Sequence, residues 1–388
     1  MMKKKVLLGL SGGVDSAVAA YLLKEQGYDV ICAFMRNWDS YTNNDILGNP
    51  TIEDDVCPQE QDYADAKAVA DALGLELHRV DFVKEYWDNV FTYFLDEYKK
   101  GRTPNPDILC NKYIKFDAFM KYANELGFDT VATGHYAQVQ HTEEGSLLRR
   151  GADNNKDQTY FLCQISKEAL SHAIFPIGHM EKHEVREIAD RMHLDSVSKK
   201  KDSTGICFIG ERNFREFLQN YLPSKDGDIV DIETLRKVGE HIGVLYYTIG
   251  QRKGLGIGGN RGPWFVVGKD VEKNILYVTN GDESDWLITN SCIVSGVNWL
   301  GKERPQGAYA CTAKFRYRQP DNDVEIRFID DTTVYVRYQQ GISSVTCGQE
   351  AVFYQGEICL GGGVIEDVFK DGISMAHRIT RRVADGQK

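Results

Sequence analysis

Lys5-Val6-Leu7-Leu8-Gly9-Leu10 runs directly into Ser11-Gly12-Gly13-Val14-Asp15-Ser16, and the junction of these two stretches sets the fold. After its lysine the first stretch is almost continuously apolar, which predicts a strand buried on both faces. Two glycines follow, then a helical pattern over 16–26 with Gly27 placed as its C-terminal cap. A buried strand turning through glycines into a helix is the opening of a βαβ unit. Glycines there let the backbone approach an anion closely. The helix N-terminus supplies free N–H groups and a positive dipole end, and Ser11 and Ser16 add hydroxyl donors. The loop lacks the Gly-Lys-Ser/Thr ending of a Walker loop and the GxGxxG dinucleotide fingerprint. The bland alternative is a serine-capped turn. Two glycines, an aspartate and two hydroxyls in one βα turn exceed what a turn needs.

Outward from this unit, strand patterns at 30–35, 76–82 and 130–133 alternate with helical patterns at 61–73, 86–100 and 114–126. The helical stretches stop at Gly74, Gly101 and Gly127. Strands alternating with helices predict an α/β fold with a doubly wound parallel sheet. The texture changes near Asn213. A short helix over 214–221 is closed by Pro223, and glycines then punctuate short strands up to Gly268. From Cys292 onward, 312–317, 324–329, 333–338 and 351–354 alternate with period two, which predicts a small antiparallel β-barrel. The 388 residues therefore divide into 1–212, a small mixed middle module over 213–285, and a barrel over 286–388.

Composition sets the outer limits. Hydrophobic residues at 42% and charged residues at 27% exclude a disordered or collagen-like chain. No apolar run approaches the roughly 18 residues of a membrane span, and the apolar stretch behind Met1-Met2-Lys3-Lys4-Lys5 is too short for a secretory signal core. Nine cysteines are too sparse for a disulfide scaffold, their odd number with no export signal points to a reducing cytoplasm, and the lack of a CxxC pair argues against a zinc ribbon or a thioredoxin-type dithiol. The 46 Lys and Arg against 57 Asp and Glu leave a formal charge of −11. That disfavours indiscriminate coating of nucleic acid and leaves room for local basic patches.

Two cysteines stand out by their surroundings. Arg102-Thr103-Pro104-Asn105-Pro106-Asp107-Ile108-Leu109-Cys110-Asn111 lies between two helical stretches, stiffened by its prolines. One turn would bring the Asp107 carboxyl and the Cys110 thiol together. Cys207 follows three lysines, 199–201, whose charge favours a thiolate or persulfide. Taken singly, each cysteine reads more readily as a small buried hydrophobe, the reading given to the other seven, such as Cys163 in Tyr160-Phe161-Leu162-Cys163.

The order of elements is more specific than any one of them. The Ser11–Ser16 loop resembles the signature of the N-type ATP pyrophosphatases, whose domain is adenine nucleotide α-hydrolase-like. With Pro-Asp-Ile-Leu-Cys-Asn, Thr133-Gly134-His135-Tyr136, Asn155-Lys156-Asp157-Gln158, Asp202-Ser203-Thr204-Gly205-Ile206-Cys207-Phe208-Ile209-Gly210, Gly250-Gln251-Arg252-Lys253-Gly254-Leu255-Gly256 and Leu360-Gly361-Gly362-Gly363, the chain resembles the bacterial tRNA-specific 2-thiouridylases over nearly its whole length. The resemblance implies that Gly9, Leu10, Ser11, Gly12, Gly13, Val14, Asp15, Ser16, Met35 and Gly134 bind ATP, with Mg²⁺ on its phosphates. It implies Asn105, Pro106 and Asp107 at the target base, with Asp107 as general acid/base. It gives Cys207 a persulfide and makes Cys110 the second catalytic thiol, the two forming a transient disulfide as sulfur leaves. The reaction implied is adenylation of the 2-carbonyl of the wobble uridine, position 34. Sulfur then arrives by direct persulfide attack or as hydrosulfide freed by Cys110, yielding 2-thiouridine, AMP and pyrophosphate. Lysine, glutamate and glutamine tRNAs are the implied substrates, and a cysteine desulfurase or sulfur-relay protein the donor.

For tRNA contact the resemblance implies His135, Lys156, Asp157, Gln158, Arg316, Tyr317 and Gln349. The residues alone leave alternatives. His135 reads also as a satisfied loop histidine, and Lys156-Asp157-Gln158 as a helix N-terminus capped by Asn154 or Asn155. On a strand, Lys314, Arg316 and Arg318 would share one face while Phe315 and Tyr317 anchor the other. Residues 310–388 hold 10 basic and 11 acidic side chains, so such a patch would be local. Two other classes compete with an RNA-modifying enzyme. A small-molecule adenylating ligase needs no paired thiols, and a metal–thiolate protein needs more ligands than two cysteines supply.

Overall fold

The computed structural model describes residues 4–47, 49, 58–198, 200, 214–258 and 262–386. Strands β1 (Lys5–Gly9), β2 (Asp29–Arg36), β3 (Glu76–Asp81) and β4 (Val131–Ala132) are followed by a hairpin, β5 (Ala137–Thr142) and β6 (Gly145–Arg150), and by β7 (Ala173–Ile174). Five of them form an entirely parallel sheet in the order β3-β2-β1-β4-β7. The apolar run of β1 works on both faces. Val6 and Leu8 enter the core under helices α1 (Val14–Glu25) and α2 (Pro58–Leu73), together with Val18 and Val69. Leu7 points the other way, into an aromatic core with Phe91 and Phe119. The sheet is doubly wound, as the alternating pattern predicts.

Helical patterns hold while their winding changes. The stretch predicted as one helix over 86–100 consists of Val83–Tyr86, a π-wound turn Trp87–Phe91 and Thr92–Lys99. The stretch over 114–126 begins as a π-wound segment, Asn111–Ala118, with Phe116 off helical geometry at φ −119°, ψ 15°. Wide turns of this kind cluster at functional sites because they re-aim side chains without ending the helix.

The middle module is a four-stranded mixed sheet of β8 (Gly227–Asp231), β9 (Lys237–His241), β10 (Trp264–Asp270) and β11 (Ile275–Asn280), in the order β10-β11-β8-β9. Strands β12 (Ile288–Trp299), β13 (Tyr309–Lys314), β14 (Asn322–Phe328), β15 (Val334–Ser343), β16 (Glu350–Gln355) and β17 (Ile358–Lys370) follow in the order β12-β15-β14-β13-β16-β17, and antiparallel pairing of β12 with β17 closes the barrel. The C-terminal helix Met375–Gly386 packs Ile379 and Val383 against Ile232, Val267 and Tyr277 of the middle module.

Two features depart from the sequence pattern. Alternation over 312–317 stops at Lys314, because the Gln319 side chain accepts from Phe315 N (3.1 Å) and Gln319 N donates to Arg316 O (3.1 Å), closing a turn ahead of Pro320. Phe315 sits in the barrel core beside Tyr338, whereas Tyr317 packs on Phe161 with ring centroids 4.4 Å apart. The one-face cation stripe is therefore absent. The second feature is the β5–β6 hairpin. It leaves the parallel sheet and pairs with β17, Arg149 opposite Ile358 and Leu148 opposite Cys359, so the N-terminal domain and the barrel share a sheet.

Candidate active site

The glycine loop leaves β1 as Leu10 N donates to Ala33 O, and it folds around one hydroxyl. Ser16 Oγ accepts from Ser11 N (3.1 Å), lies 3.2 Å from Ser11 Oγ and donates to Gly13 O (3.0 Å). Gly13 occupies the N-cap position of α1 without a capping side chain, so that end stays open to an anion. Gly12 has φ +75°, and a Cβ there would lie 2.2 Å from Asp62 O. No other residue fits that approach. Gly134, beyond β4, backs onto the same helix end: its Cβ would meet Ser16 N at 2.7 Å. Met35 covers the loop's entry, its Cε 2.9 Å from where a Gly9 Cβ would stand.

Charges around this loop include groups the sequence reading leaves out. Asp15 accepts from Tyr136 OH (2.8 Å) and from Lys182 Nζ (2.7 and 2.9 Å). Lys200 donates to Gly12 O (3.2 Å), Asp62 (2.6 Å) and Asp65 (2.8 Å), and these two carboxylates hold its ammonium above the usual lysine range against the opposing effect of burial. Lys182, distant in sequence from the glycine loop, has no local signature. Lys199, Lys201 and Cys207 lie outside the described residues, as does Cys57.

The second loop is fastened from three sides. Asn105 Oδ1 accepts from Asp107 N (3.1 Å) and caps the helix Pro106–Cys110, with Pro106 in its first turn. Upstream, Arg102 pairs with the buried Glu97 (2.8 Å) and with Glu366 of β17 (2.7 Å), and donates to Ile365 O (3.2 Å). Thr103 N donates to Cys347 O (3.1 Å), Gln349 Nε2 donates to Thr103 O (2.8 Å), and Thr103 Oγ1 reaches Thr248 Oγ1 at 3.3 Å. Downstream, Asn111 Nδ2 donates to Phe161 O (2.9 Å), and Lys112 meets Gln164, which donates to Gly362 O (2.6 Å) in the barrel.

Within this frame Asp107 is pushed up to about 6 by burial, with the Lys115 charge acting in the other direction. Cys110 is buried at the helix end. Burial pushes the thiols of Cys32, Cys292, Cys311 and Cys359 up to about 12, that of Cys347 up to about 11 and that of Cys163 well above the usual thiol range, which makes them unreactive packing groups. Lys115, on the π-wound segment, lies 3.5 Å from His135 Nε2, and His135 Nδ1 lies 2.7 Å from Thr133 Oγ1. Burial, reinforced by Lys115, holds the His135 imidazole far below its usual range and hence neutral.

The residues expected at RNA divide into two kinds. His135 is buried between Phe116 and Phe175. Asp157 is buried as well, accepting from Gly151 N (3.1 Å), Thr159 N (3.2 Å) and Thr159 Oγ1. Gln158 exchanges hydrogen bonds with the Tyr136 backbone and stands at the N-cap of Thr159–Leu162, so neither Asn154 nor Asn155 caps that helix. Arg316 spends its guanidinium on Ile249 O (2.7 Å), Ser344 O (3.1 Å) and Thr346 Oγ1 (2.9 Å). Gln349 is the clamp on Thr103 described above. Lys156 is half-buried, and Arg318 is exposed beside a cavity of about 300 Å³ that Phe315, Arg316, Ser343, Ser344 and Val345 also line. Among the described residues, no helix is long and apolar enough to cross a membrane, and no group of three or more His, Cys, Asp or Glu could hold a metal.

Three family models match in succession: a tRNA methyl transferase HUP domain over residues 4–211, a tRNA methyl transferase PRC-barrel domain over 215–280 and an aminomethyltransferase beta-barrel domain over 289–365. The chain is 57% identical over 376 residues to the tRNA-specific 2-thiouridylase MnmA of Mycoplasma capricolum, covering 95% of this chain and 100% of that protein. It is 57% identical to the protein of that name from Mesoplasma florum over 374 residues, 95% of this chain and 100% of the relative. With the Staphylococcus carnosus protein of the same name it shares 54% over 368 residues, 95% and 96% of the two chains.

Proposed function

The chain belongs to the tRNA-specific 2-thiouridylase family, and from that premise we propose how its residues carry out an ATP-dependent sulfur transfer to tRNA. The reaction is the adenylation and thiolation of the wobble uridine. The observation that carries the proposal is a junction of two loops. Gly134 backs onto the N-terminus of α1, while the adjacent His135 meets Lys115, whose charge acts on Asp107. Nucleotide and target base would thus meet along one short line of side chains.

ATP binds with its phosphates on the loop Ser11–Ser16 and the open end of α1, beside Met35 and Gly134. Mg²⁺ suits this end of the site because phosphates and water supply most of its ligands; Asp15, whose oxygens are held by Lys182 and Tyr136, would have to exchange a partner to join them. The ion would neutralise charge on the leaving pyrophosphate. Asn105, Pro106 and Asp107 receive the flipped base. Asp107, poised near 6, is ionised at neutral pH and takes the N3 proton. The uridine O2 then attacks the α-phosphorus, the O2–P bond forms, and the bond to pyrophosphate breaks.

Sulfur transfer follows. The terminal sulfur of a Cys207 persulfide attacks C2, and AMP departs with the former O2. The Cys110 thiolate attacks the Cys207 sulfur, leaving sulfide sulfur on the base and a Cys110–Cys207 disulfide. The two thiols are oxidised as the transferred sulfur is reduced, and an external thiol restores them. A cysteine desulfurase or sulfur-relay protein reloads Cys207 in the cytoplasm, and lysine, glutamate and glutamine tRNAs are the substrates. Lys156, Arg316, Tyr317 and Gln349 lie on the RNA side, where His135, Asp157 and Gln158 act by shaping the surface. Methyl transfer, which the domain descriptions would invite, has no use for a pyrophosphate loop or for Cys110.

The deciding experiment follows the oxygen. tRNA carrying ¹⁸O at O2 of the wobble uridine should deliver that label into AMP, one label per 2-thiouridine formed. Unlabelled AMP would refute adenylation at O2.

A further inference from the structure

Lys182 opens the helix Lys182–Arg191, whose Val185 and Ile188 share a core with Val14 and Val18 of α1. Its backbone is fixed from both sides. Lys182 N donates to Asp153 Oδ2 (3.1 Å), and Glu181 N, one residue earlier, donates to Glu184 Oε2 (2.8 Å). The side chain is mostly buried and passes the Tyr136 ring to set Nζ 2.7 and 2.9 Å from the two oxygens of Asp15. Asp15 lies in the first turn of α1, beside the N-terminus left open to an anion. An uncompensated carboxylate at that place would repel a polyphosphate. Lys182 cancels it. The Asp15 side chain is 33% exposed, so the pair borders solvent and a ligand can reach it.

A second ammonium, Lys200, reaches the same loop but is engaged by two carboxylates, Asp62 and Asp65, and by Gly12 O. Lys182 differs because its carboxylate partner belongs to α1 itself. Asp15 also accepts from Tyr136 OH (2.8 Å), so it stays hydrogen-bonded if the ammonium moves.

We propose that Lys182 is the phosphate-binding cation of this site: with the site empty its ammonium rests on Asp15, and on ATP binding it transfers to the β- and γ-phosphates. This rests on the reading of Ser11–Ser16 as the phosphate loop. The exchange swaps one oxyanion partner for another of higher charge, within reach of a flexible side chain whose backbone does not move. Its benefit is greatest as negative charge gathers on the departing pyrophosphate, where a cation already in place needs no rearrangement of solvent.

The test titrates the full chain with ATP, pyrophosphate and AMP in turn, comparing the parent with Lys182→Met, Lys182→Arg and Gly12→Ala. Lys182→Met is expected to weaken ATP and pyrophosphate by about 10- to 100-fold, the span of one lost hydrogen bond between charged groups, with AMP within about twofold of the parent. Lys182→Arg keeps the charge and should hold ATP within about fivefold of the parent. Equal losses for AMP and pyrophosphate overturn the proposal, because a lysine that only ties two helices together would disturb each ligand alike. Undiminished pyrophosphate binding by Lys182→Met overturns it as well. Gly12→Ala addresses the underlying reading separately. If it binds ATP and pyrophosphate as tightly as the parent, the glycine loop does not hold phosphates, and that assignment falls together with the role of Lys182.

Discussion

The glycine loop and the cysteine loop solve placement in opposite ways. Residues 9–16 take their backbone path from one strand, one helix and a hydroxyl bonded within the loop, and Asp62, Lys182 and Lys200 of the same domain close on it from outside. Residues 102–111 are shaped by others. Glu97, Thr248, Cys347, Gln349, Ile365 and Glu366 fix their upstream half, drawing on all three domains. A phosphate is held by local backbone, which one supersecondary unit supplies. Bringing a flipped base, a thiol and a carboxyl together needs a loop that reports on the whole assembly. The first loop should therefore fail alone when altered, and the second should fail when distant residues are altered.

The largest expected effects lie at the two chemistries themselves. Cys110→Ser should reduce 2-thiouridine formation by about a thousandfold or more while tRNA-dependent AMP release persists, separating adenylation from sulfur transfer. Gly12→Ala, forced against Asp62 O, should weaken ATP binding about a hundredfold, read by titration with nucleotide, and leave tRNA affinity alone. Equal loss of both affinities would mean that the glycine loop is not the independent unit described.

Legibility followed the same division. The loop 9–16 and the parallel sheet could be read from residues 5–27 and the spacing of later strands, because period and glycine placement are local signals. Arg102 gave no such signal, since its partners Glu97 and Glu366 lie in other elements and Glu366 is far away in sequence. The β5–β6 hairpin was similarly quiet: only Val139 among polar neighbours marks β5 as a strand. Alternation over 312–317 misled because a side-chain hydrogen bond from Phe315 N to Gln319 turns the chain just where the pattern continues. His135 and Asp157 were each open between an RNA contact and a local structural role, and both are buried and hydrogen-bonded within the fold, a distinction that one sequence does not carry.

Smaller effects sharpen the contrast. Arg102→Ala leaves the buried Glu97 with Lys100 as its remaining partner and removes the pairing with Glu366, and should cost about 2 kcal/mol of stability by denaturant unfolding, with kcat for thiolation down more than ATP affinity. Gln349→Ala removes one hydrogen bond to Thr103 and should lower kcat about tenfold or less, with the fold intact. Lowered ATP affinity in either variant would erase the distinction between the loops. The slightest effect is electrostatic: with basic patches on a chain of charge −11, tRNA affinity should fall as salt rises, and a flat response would remove the patches from the picture.

The measurement closest to the central claim is thiolation of tRNA by the purified chain with ATP and a persulfide donor, read by nucleoside mass spectrometry alongside AMP. Equal amounts of AMP and 2-thiouridine at the wobble position, each absent without tRNA, are the expected result. AMP produced without tRNA, or sulfur incorporated without ATP, would contradict it.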